Sequence, residues 1–261
     1  MKIIKLILIG VFITSSFISC NNDEEFAPEL PPKESFVLDF SDFESKVSDD
    51  ITKLNWTHAS SNVLIWNTIL TVGLAVPIAS YNEAVKNHEP IYQGNDTWLW
   101  EFSFSNNLDQ YTAKLFGTVN DNSIYWEMFI SKDGEFNNFK WYSGTSLLDN
   151  SKVSWVLYNN PNEATELLSV EYIKTSDNTA NITFTNIEPD GAENGGFIKF
   201  GNDSETFFNN YYQIYNKGLD NLINVEWSQS DKSGRVIDEL WYKDTDWHCW
   251  NENKEDIECD F

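Results

Sequence analysis

The sequence predicts a mainly β protein: an antiparallel meander of about twelve strands, a curved sheet or barrel, wrapped on one apolar N-terminal helix. Two observations predict the sheet. From residue 97 onwards, apolar and polar residues alternate with a period of two in successive short segments. Turn sequences such as Asn120-Asp121-Asn122 separate these segments. A long uncharged apolar stretch before the first strand predicts the helix.

The alternation is clearest directly after Thr97. Four aromatic residues share one face there, namely Trp98, Trp100, Phe102 and Phe104, and a glutamate and two serines share the other. Further strands are predicted over residues 110–119, 122–131, 136–143, 151–158, 166–174, 180–187, 196–201, 207–216, 222–229, 234–243 and 246–251. Many short strands without intervening helices are typical of a curved sheet or a barrel.

The helix is predicted within residues 59–82, where the chain carries no charge and apolar residues fall on every side. Such a helix is buried in protein or in lipid. Pro77 and several polar residues interrupt the apolar run before the roughly 20 residues that a membrane span needs. We therefore expect a core helix that the sheet wraps. A second, short amphipathic helix is predicted over residues 37–53.

The N-terminus predicts export. A short positive segment is followed by an apolar segment over residues 6–17, and Phe17-Ile18-Ser19-Cys20 looks like a lipobox. We expect residues 1–19 to be a signal peptide and Cys20 to be the lipidated first residue of the mature protein, with palmitate-type acyl chains. Residues 20–35 are predicted to be a flexible acidic and proline-containing tether. Residues 36–261 are then a single β-rich domain.

The charge excludes one class of partner. The chain has 41 Asp and Glu against 17 Lys and Arg, which gives a formal net charge of -24. Such a surface repels the phosphates of nucleic acid and the headgroups of anionic lipid. We therefore expect no nucleic-acid partner and membrane attachment only through the lipid anchor.

Cys249 and Cys259 form an even pair once Cys20 is lipidated, and exported proteins oxidise such pairs. We expect a disulfide, which would stabilise the C-terminal segment by about 2.5 to 3 kcal/mol. The alternative, a thiol metal site or redox pair, lacks a CxxC spacing and further ligands.

Catalytic motifs are missing from the sequence. The three histidines, His58, His88 and His248, lie in no nucleophile motif. Several glutamates fall in predicted strands, where they are candidates for a glycosidase pair or, more simply, for solvated strand faces: Glu101, Glu127, Glu171, Glu226 and Glu239. The acidic turns at 188–194 and 244–246 do not fit an EF-hand. We expect no catalytic residue, no metal and no cofactor.

The aromatic residues are the candidate contact residues, because exposed Trp can stack on a sugar or anchor a partner protein. Trp247 and Trp250 are the first candidates, since they bracket His248-Cys249 in a short polar hairpin. Trp98 and Trp100 are the second. The alternative for all of them is packing within the domain.

Three tracts carry a resemblance: residues 62–70, Tyr92-Gln93-Gly94 with Trp98-Leu99-Trp100, and Trp247-His248-Cys249-Trp250. They resemble a group of uncharacterised lipoproteins of Bacteroidota-type bacteria, over the whole mature domain. Asn21-Asn22-Asp23-Glu24-Glu25 also resembles the acidic signal that carries such lipoproteins to the outer membrane. The resemblance implies a lipid-anchored protein of the outer membrane, on its periplasmic or cell-surface face, and implies no activity.

Three functions follow from these patterns. The first is a non-enzymatic cell-envelope lipoprotein that binds a protein or glycan partner. The second is a carrier of an apolar ligand such as a lipid, with a half-barrel fold, and an apolar cavity beside residues 63–78 would favour it. The third is a carbohydrate-active enzyme, which needs two acids about 5 to 10 Å apart in a groove.

Overall fold

The computed structural model describes residues 26–43, 52–86, 88–177, 179–203 and 206–259. The predicted signal peptide and Cys20 lie outside these residues. The helices are α1 (Leu54–Gly73), α2 (Ala75–Ala84) and α3 (Glu239–Tyr242), and short 3-10 turns lie at Lys33–Ser35 and Ser41–Phe43. The strands are β1 (Ile91–Gly94), β2 (Thr97–Asn106), β3 (Asp109–Asn120), β4 (Ser123–Lys132), β5 (Phe136–Leu147), β6 (Lys152–Asn160), β7 (Glu163–Lys174), β8 (Ala180–Asn186), β9 (Phe197–Asn202), β10 (Asn210–Asn216), β11 (Asn221–Trp227), β12 (Gly234–Ile237), β13 (His248–Trp250) and β14 (Asp256–Ile257).

All fourteen strands form one antiparallel sheet in which each strand pairs with its neighbours in sequence, from β1 to β14. The predicted mainly β meander is therefore confirmed. Within the described residues β1 and β14 do not pair with each other, so the sheet is open. Its two additional strands are β1 and β14, which are too short to show an alternating pattern.

Two predicted elements are wrong in part. The strand predicted over 234–243 ends at Ile237, because the side chain of Asp238 accepts a hydrogen bond from the backbone N–H of Trp241 and starts α3. The helix predicted over 37–53 is, in its described part, an irregular segment followed by the 3-10 turn Ser41–Phe43. Residues 44–51 lie outside the described residues.

The predicted helix of residues 59–82 is a bent pair, α1 and α2, with an angle of 71° between them. The break is at Leu74, and Pro77 lies in the first turn of α2, where its missing N–H removes no helical hydrogen bond. Among the described residues, no single helix has the length and hydropathy of a membrane span. Only the bent pair of α1 and α2, taken together, has that length and hydropathy.

The helices show that the sheet is strongly curved. α1 contacts β12, β13 and β14, whereas α2 contacts β2 at the other end of the sheet. In a flat sheet, β2 and β13 would lie about 50 Å apart, at about 4.8 Å per strand. The bent helix pair spans only about 40 Å, given a rise of about 1.5 Å per residue. The sheet therefore curls, and the helix pair bridges its open side.

One face of the sheet and the inner sides of the helices share one hydrophobic core. The core is rich in aromatic residues, of which Trp126, Trp155 and Trp250 are almost fully buried. The residues of α1 that face the core recur at helical spacing and are Trp56, Ala59, Ser60, Val63, Trp66 and Leu70. Packing against the sheet therefore fixes which side of α1 faces inwards.

The N-terminal segment also packs on this core. The Tyr81 hydroxyl donates a hydrogen bond of 2.7 Å to the carbonyl of Pro31, Ser35 is buried, and the Phe36 ring stacks on the Tyr81 ring at 4.6 Å. Leu30 contacts the core as well. Residues 30–35, predicted as part of a flexible tether, are thus held against the domain because the tether sequence contains apolar residues that find partners there.

Candidate functional site

The outer face of α1 is apolar and exposed. Its exposed large apolar residues are Leu64, Ile65, Ile69 and Val72, with exposed fractions between 41% and 74%, and the uncharged Thr68 and Thr71 are exposed among them. The expectation that the sheet buries all sides of this helix is therefore wrong, because the sheet stays open and covers only one side. Scattered exposed apolar residues are ordinary, but a continuous uncharged stripe on one helix often marks a binding surface.

An apolar groove of about 320 Å³ runs beside this face. Its walls are Ile65, Trp66 and Ile69 of α1, Leu167 and Leu168 of β7, Ile214 of β10 and Ile223 of β11. The groove lies near the start of β7 and the ends of β8 and β10. It is therefore at one end of these central strands, and not beside an edge strand of the sheet. We call it the apolar groove.

A second cavity, of about 710 Å³, adjoins the groove at the N-terminal end of α1. We call it the Trp241 pocket. Its main lining residues are Asn55, His58, Asn62, Asn216, Leu219, Asn221, Asp238, Leu240, Trp241, Tyr242 and Asp256. Asn62, Asn216 and Ile223 line both cavities, so the two are adjacent along α1. Together they form a site that is apolar at one end and polar with an exposed aromatic ring at the other.

Trp241 is held in place although it is 64% exposed. Its backbone N–H donates to Oδ1 of Asp238 at 3.1 Å, which fixes the α3 turn. The ring of His58 stacks on its indole, with centroids 4.6 Å apart and planes 16° apart. Because one face of the indole is covered in this way and most of the residue remains exposed, the other face is open. The result is an aromatic platform, supported from one side by His58, at the edge of the pocket.

Asp238 holds this network together from a nearly buried position, with a side chain only 5% exposed. Its Oδ2 lies 2.8 Å from Nε2 of His58, and its Oδ1 accepts a hydrogen bond of 2.9 Å from the amide of Asn221. Burial lowers the pKa of His58, and this outweighs the hydrogen bond and charge of Asp238, which raise it. At neutral pH the imidazole is therefore uncharged and donates its Nε2–H to the carboxylate.

The C-terminal hairpin positions α1. Asp256 of β14 accepts hydrogen bonds from the backbone N–H groups of Leu54 and Asn55, at 3.0 and 2.9 Å, and so caps a helix whose own N-terminal residue supplies no cap. Cys249 and Cys259 form the predicted disulfide, which ties this hairpin together. The disulfide thereby holds the residue that caps the helix lining the site.

The predicted contact aromatics have other roles. Trp98, Trp100 and Trp250 are buried in the core, at 5%, 4% and 1% exposure, and do not reach a partner. Trp247 is half-buried, and the guanidinium of Arg235 lies 4.2 Å from its ring centre. The hairpin containing Trp250 buries it because β13 pairs inside the sheet. Of the predicted aromatic candidates, only Trp247 therefore retains partial access to solvent.

The exposed aromatic of the site is instead Trp241, which sequence reasoning missed. A signal was present: in the predicted strand 234–243, alternation places Trp241 on the same face as Arg235, Glu239 and Lys243. A tryptophan among charged residues on one strand face is expected to be exposed. The prediction of a strand over 234–243 was wrong at Trp241, but the presence of a tryptophan among charged residues would still have identified it as exposed.

The strand glutamates are paired with cations on the outer face of the sheet. Glu101 lies 3.5 Å from Lys114, Glu127 3.6 Å from Lys140, Glu171 2.7 Å from Lys152 and Glu226 2.6 Å from Arg235. Glu239 lies in the first turn of α3. The acids of the Trp241 pocket, Asp238 and Asp256, accept backbone and side-chain hydrogen bonds. In the part of the chain that the structure describes, no group of three or more potential ligands is placed to hold a metal.

The buried His58 predicts a pH-dependent stability. Its pKa in the folded protein is lower than its ordinary value of 6.5. Below about pH 6.5 the unfolded chain therefore takes up a proton that the folded chain resists, so the free energy of unfolding falls as the pH drops towards the folded pKa. Well above pH 6.5 the imidazole is uncharged in both states, so this group contributes no slope there. Urea unfolding across this range should show the fall in the wild type.

His58→Gln provides the matched comparison, since it keeps a donor for Asp238 but does not titrate. Every carboxylate remains, so the difference between the two slopes reports His58 alone. Equal slopes in the two proteins would contradict the assignment.

Fold and site together define the class: an open antiparallel β-meander with a two-part pocket beside its N-terminal helix pair. No family model, no curated protein and no solved structure matches the chain. Function is therefore inferred from the residues of the site.

Proposed function

We propose that the chain is a non-enzymatic, lipid-anchored protein of the cell envelope that binds a glycan in the Trp241 pocket. The observation that carries the proposal is the exposed indole of Trp241, stacked on His58, beside a pocket lined with amide side chains. Indole faces stack on the apolar faces of sugar rings. Nδ2 of Asn62 donates to the carbonyl of His58 and Oδ1 of Asn216 accepts from the backbone of Leu219, so Oδ1 of Asn62 can accept from a sugar hydroxyl and Nδ2 of Asn216 can donate to one.

Preorganisation supports this proposal over a surface tryptophan without a role. His58 and Asp238 hold the indole before any ligand arrives, so binding need not order the side chain. The pocket volume of about 710 Å³ lies within the range of small-molecule sites. The net charge of -24 favours a neutral or cationic sugar over an anionic one.

The envelope location rests on the sequence of the N-terminus. If Cys20 carries the lipid, Ala27, the first described residue packed against the core, follows seven positions later. An extended chain of that length reaches about 25 Å, which holds the domain close to the membrane surface. Outer-membrane placement follows from the acidic residues after Cys20 and is part of the same proposal.

The enzyme alternative finds less support. A glycosidase needs one acid to donate a proton and a second to act as base or nucleophile. In the Trp241 pocket the carboxylate oxygens of Asp238 and Asp256 serve the α3 turn, His58 and the start of α1. A carboxylate used in this way is a structural group, which favours binding over hydrolysis.

The proposal is tested by titrating the purified protein with neutral oligosaccharides of glucose, mannose, xylose and N-acetylglucosamine, using tryptophan fluorescence and calorimetry. At least one is expected to bind, and Trp241→Ala should weaken it at least about tenfold, as for an aromatic residue that carries a contact. Tyr125→Ala is the matched control, because Tyr125 is an exposed aromatic on the outer face of β4. Absence of binding at millimolar sugar, or equal loss in both variants, would overturn the proposal.

A further inference from the structure

We propose that the ligand is an amphiphile, a neutral glycolipid whose sugar lies on Trp241 and whose alkyl chain lies in the apolar groove along α1. This inference rests on the proposed glycan binding and extends it to the second cavity. It assigns a role to the exposed face of α1, which the glycan alone leaves unexplained.

The adjacency of the two cavities is the first argument. Asn62 on α1, Asn216 at the end of β10 and Ile223 on β11 line both. A molecule that occupies the Trp241 pocket and extends along α1 past Asn62 therefore reaches the apolar groove. The cavities follow one another along α1, since His58 lines the first, Asn62 lines both, and Ile65 and Ile69 line the second.

The chemistry of the apolar groove is the second argument. Six of its thirteen lining residues are isoleucine or leucine, with Trp66 and Tyr215 beside them and three asparagines at its rim, and α1 carries no charged residue between Ala59 and Gly73. Of the described residues that line the groove, Glu193 alone is an acid or base, and its carboxylate accepts a hydrogen bond of 3.3 Å from the backbone of Gly218. A hydrocarbon chain gains from such a lining, and a sugar or a charged peptide does not.

The size of the groove favours one alkyl chain over a protein segment. One turn of an α-helix, about 10 Å across and 5.4 Å long, occupies roughly 400 Å³. The groove holds about 320 Å³, so it is too small for even a single turn. A hydrocarbon chain is thin and flexible and can follow the groove between α1 and the ends of the strands.

The charge selects the headgroup. With a net charge of -24 and Asp238, Asp256 and Glu193 among the lining residues, the site repels phosphate and carboxylate headgroups. Phospholipids of negative charge and phosphorylated glycolipids are therefore excluded, and an uncharged sugar headgroup is expected. Attachment to an anionic membrane through the exposed face of α1 is disfavoured for the same reason.

The test compares maltose, n-octyl glucoside and n-octyl maltoside, the detergents below their micelle concentrations, by calorimetry on the full mature chain. The octyl glycosides are expected to bind at least tenfold more tightly than the free sugar, because methylene groups leave water. Trp241→Ala should weaken both sugar and glycoside. Ile65→Asp, at a position 59% exposed, should weaken only the glycoside, and Ile69→Asp is a second variant at the same wall.

Leu148→Asp is the control, because Leu148 is 50% exposed in the turn between β5 and β6, which lies at the opposite end of the strands from the groove. If maltose and octyl maltoside bind equally and only Trp241→Ala weakens them, glycan binding stands and the amphiphile is wrong. If octyl maltoside binds but Trp241→Ala has no effect, both proposals are wrong. Absence of binding by either octyl glycoside, or equal loss in Leu148→Asp, also overturns the inference.

Discussion

Replacing Trp155 with alanine is expected to lower the free energy of unfolding by about 3–5 kcal/mol, the usual cost of truncating a buried aromatic residue. Trp155 on β6 is 1% exposed, and its ring lies 5.5 Å from Phe36, 5.6 Å from Tyr81 and 5.6 Å from Tyr142. It therefore joins the N-terminal segment, α2 and the sheet. Urea unfolding followed by circular dichroism measures the effect.

The comparison for this variant is Trp241→Ala, in which an exposed tryptophan is removed. We expect its stability to change by less than about 1 kcal/mol, because little apolar area leaves the core. A loss below 1 kcal/mol for Trp155→Ala would mean that the N-terminal segment and α2 do not pack on β6 as described.

Removing the disulfide is expected to have the second largest effect. The double variant Cys249→Ala with Cys259→Ser should lose about 2.5 to 3 kcal/mol, the chain-entropy value for a closed loop of this length. The hairpin that the disulfide ties carries Asp256, so the start of α1 should also lose its cap. Hydrogen exchange of the α1 amide groups should therefore increase together with the fall in stability.

Asp256→Ala separates the two effects, because it keeps the disulfide and removes both carboxylate oxygens that cap α1. It should raise exchange in the first turn of α1 and cost about 0.5–2 kcal/mol. If the disulfide variant leaves exchange in α1 unchanged, the hairpin does not hold the helix, and the loss is a property of the unfolded chain alone.

The sheet could be predicted from the sequence because one of its faces packs on the core and the other faces solvent. In the long strands, apolar and polar residues therefore alternate. β2 shows it most clearly, with four buried aromatic residues at alternate positions. β1 and β14 could not be predicted, since four and two residues are too few to define a period. Their pairing is imposed by neighbours that the sequence pattern does not reveal.

The site was harder to predict because it depends on side chains far apart in sequence. His58 and Asp238 are 180 positions apart, and only the curl of the sheet brings them within 2.8 Å. Trp98 and Trp250 were candidate contact residues by type, but their burial is decided by which face of the sheet turns inwards. The number of tryptophans in the sequence suggests that some of them are exposed contact residues. Only the fold shows that Trp241 is one that is exposed.

The outer side of α1 illustrates a different limit. Apolar residues on all sides of a helix indicate burial on all sides, yet Ile65 and Val72 are exposed at 59% and 74%. The sequence pattern shows that both the inner and the outer side of α1 lack charge. It does not indicate whether the outer side packs against protein or against a ligand. On the proposal above, the missing partner of this side is the alkyl chain.

The contacts of α1 also bear on the order in which the chain folds. Each strand pairs with its neighbour in sequence, so the sheet can form hairpin by hairpin as the polypeptide emerges. α1 is the exception, because Leu54 is capped by Asp256, 202 residues later. The first helix therefore stays unfinished until the last hairpin is made. For a chain exported as proposed, the start of α1 is therefore capped only after the C-terminal hairpin has crossed the membrane.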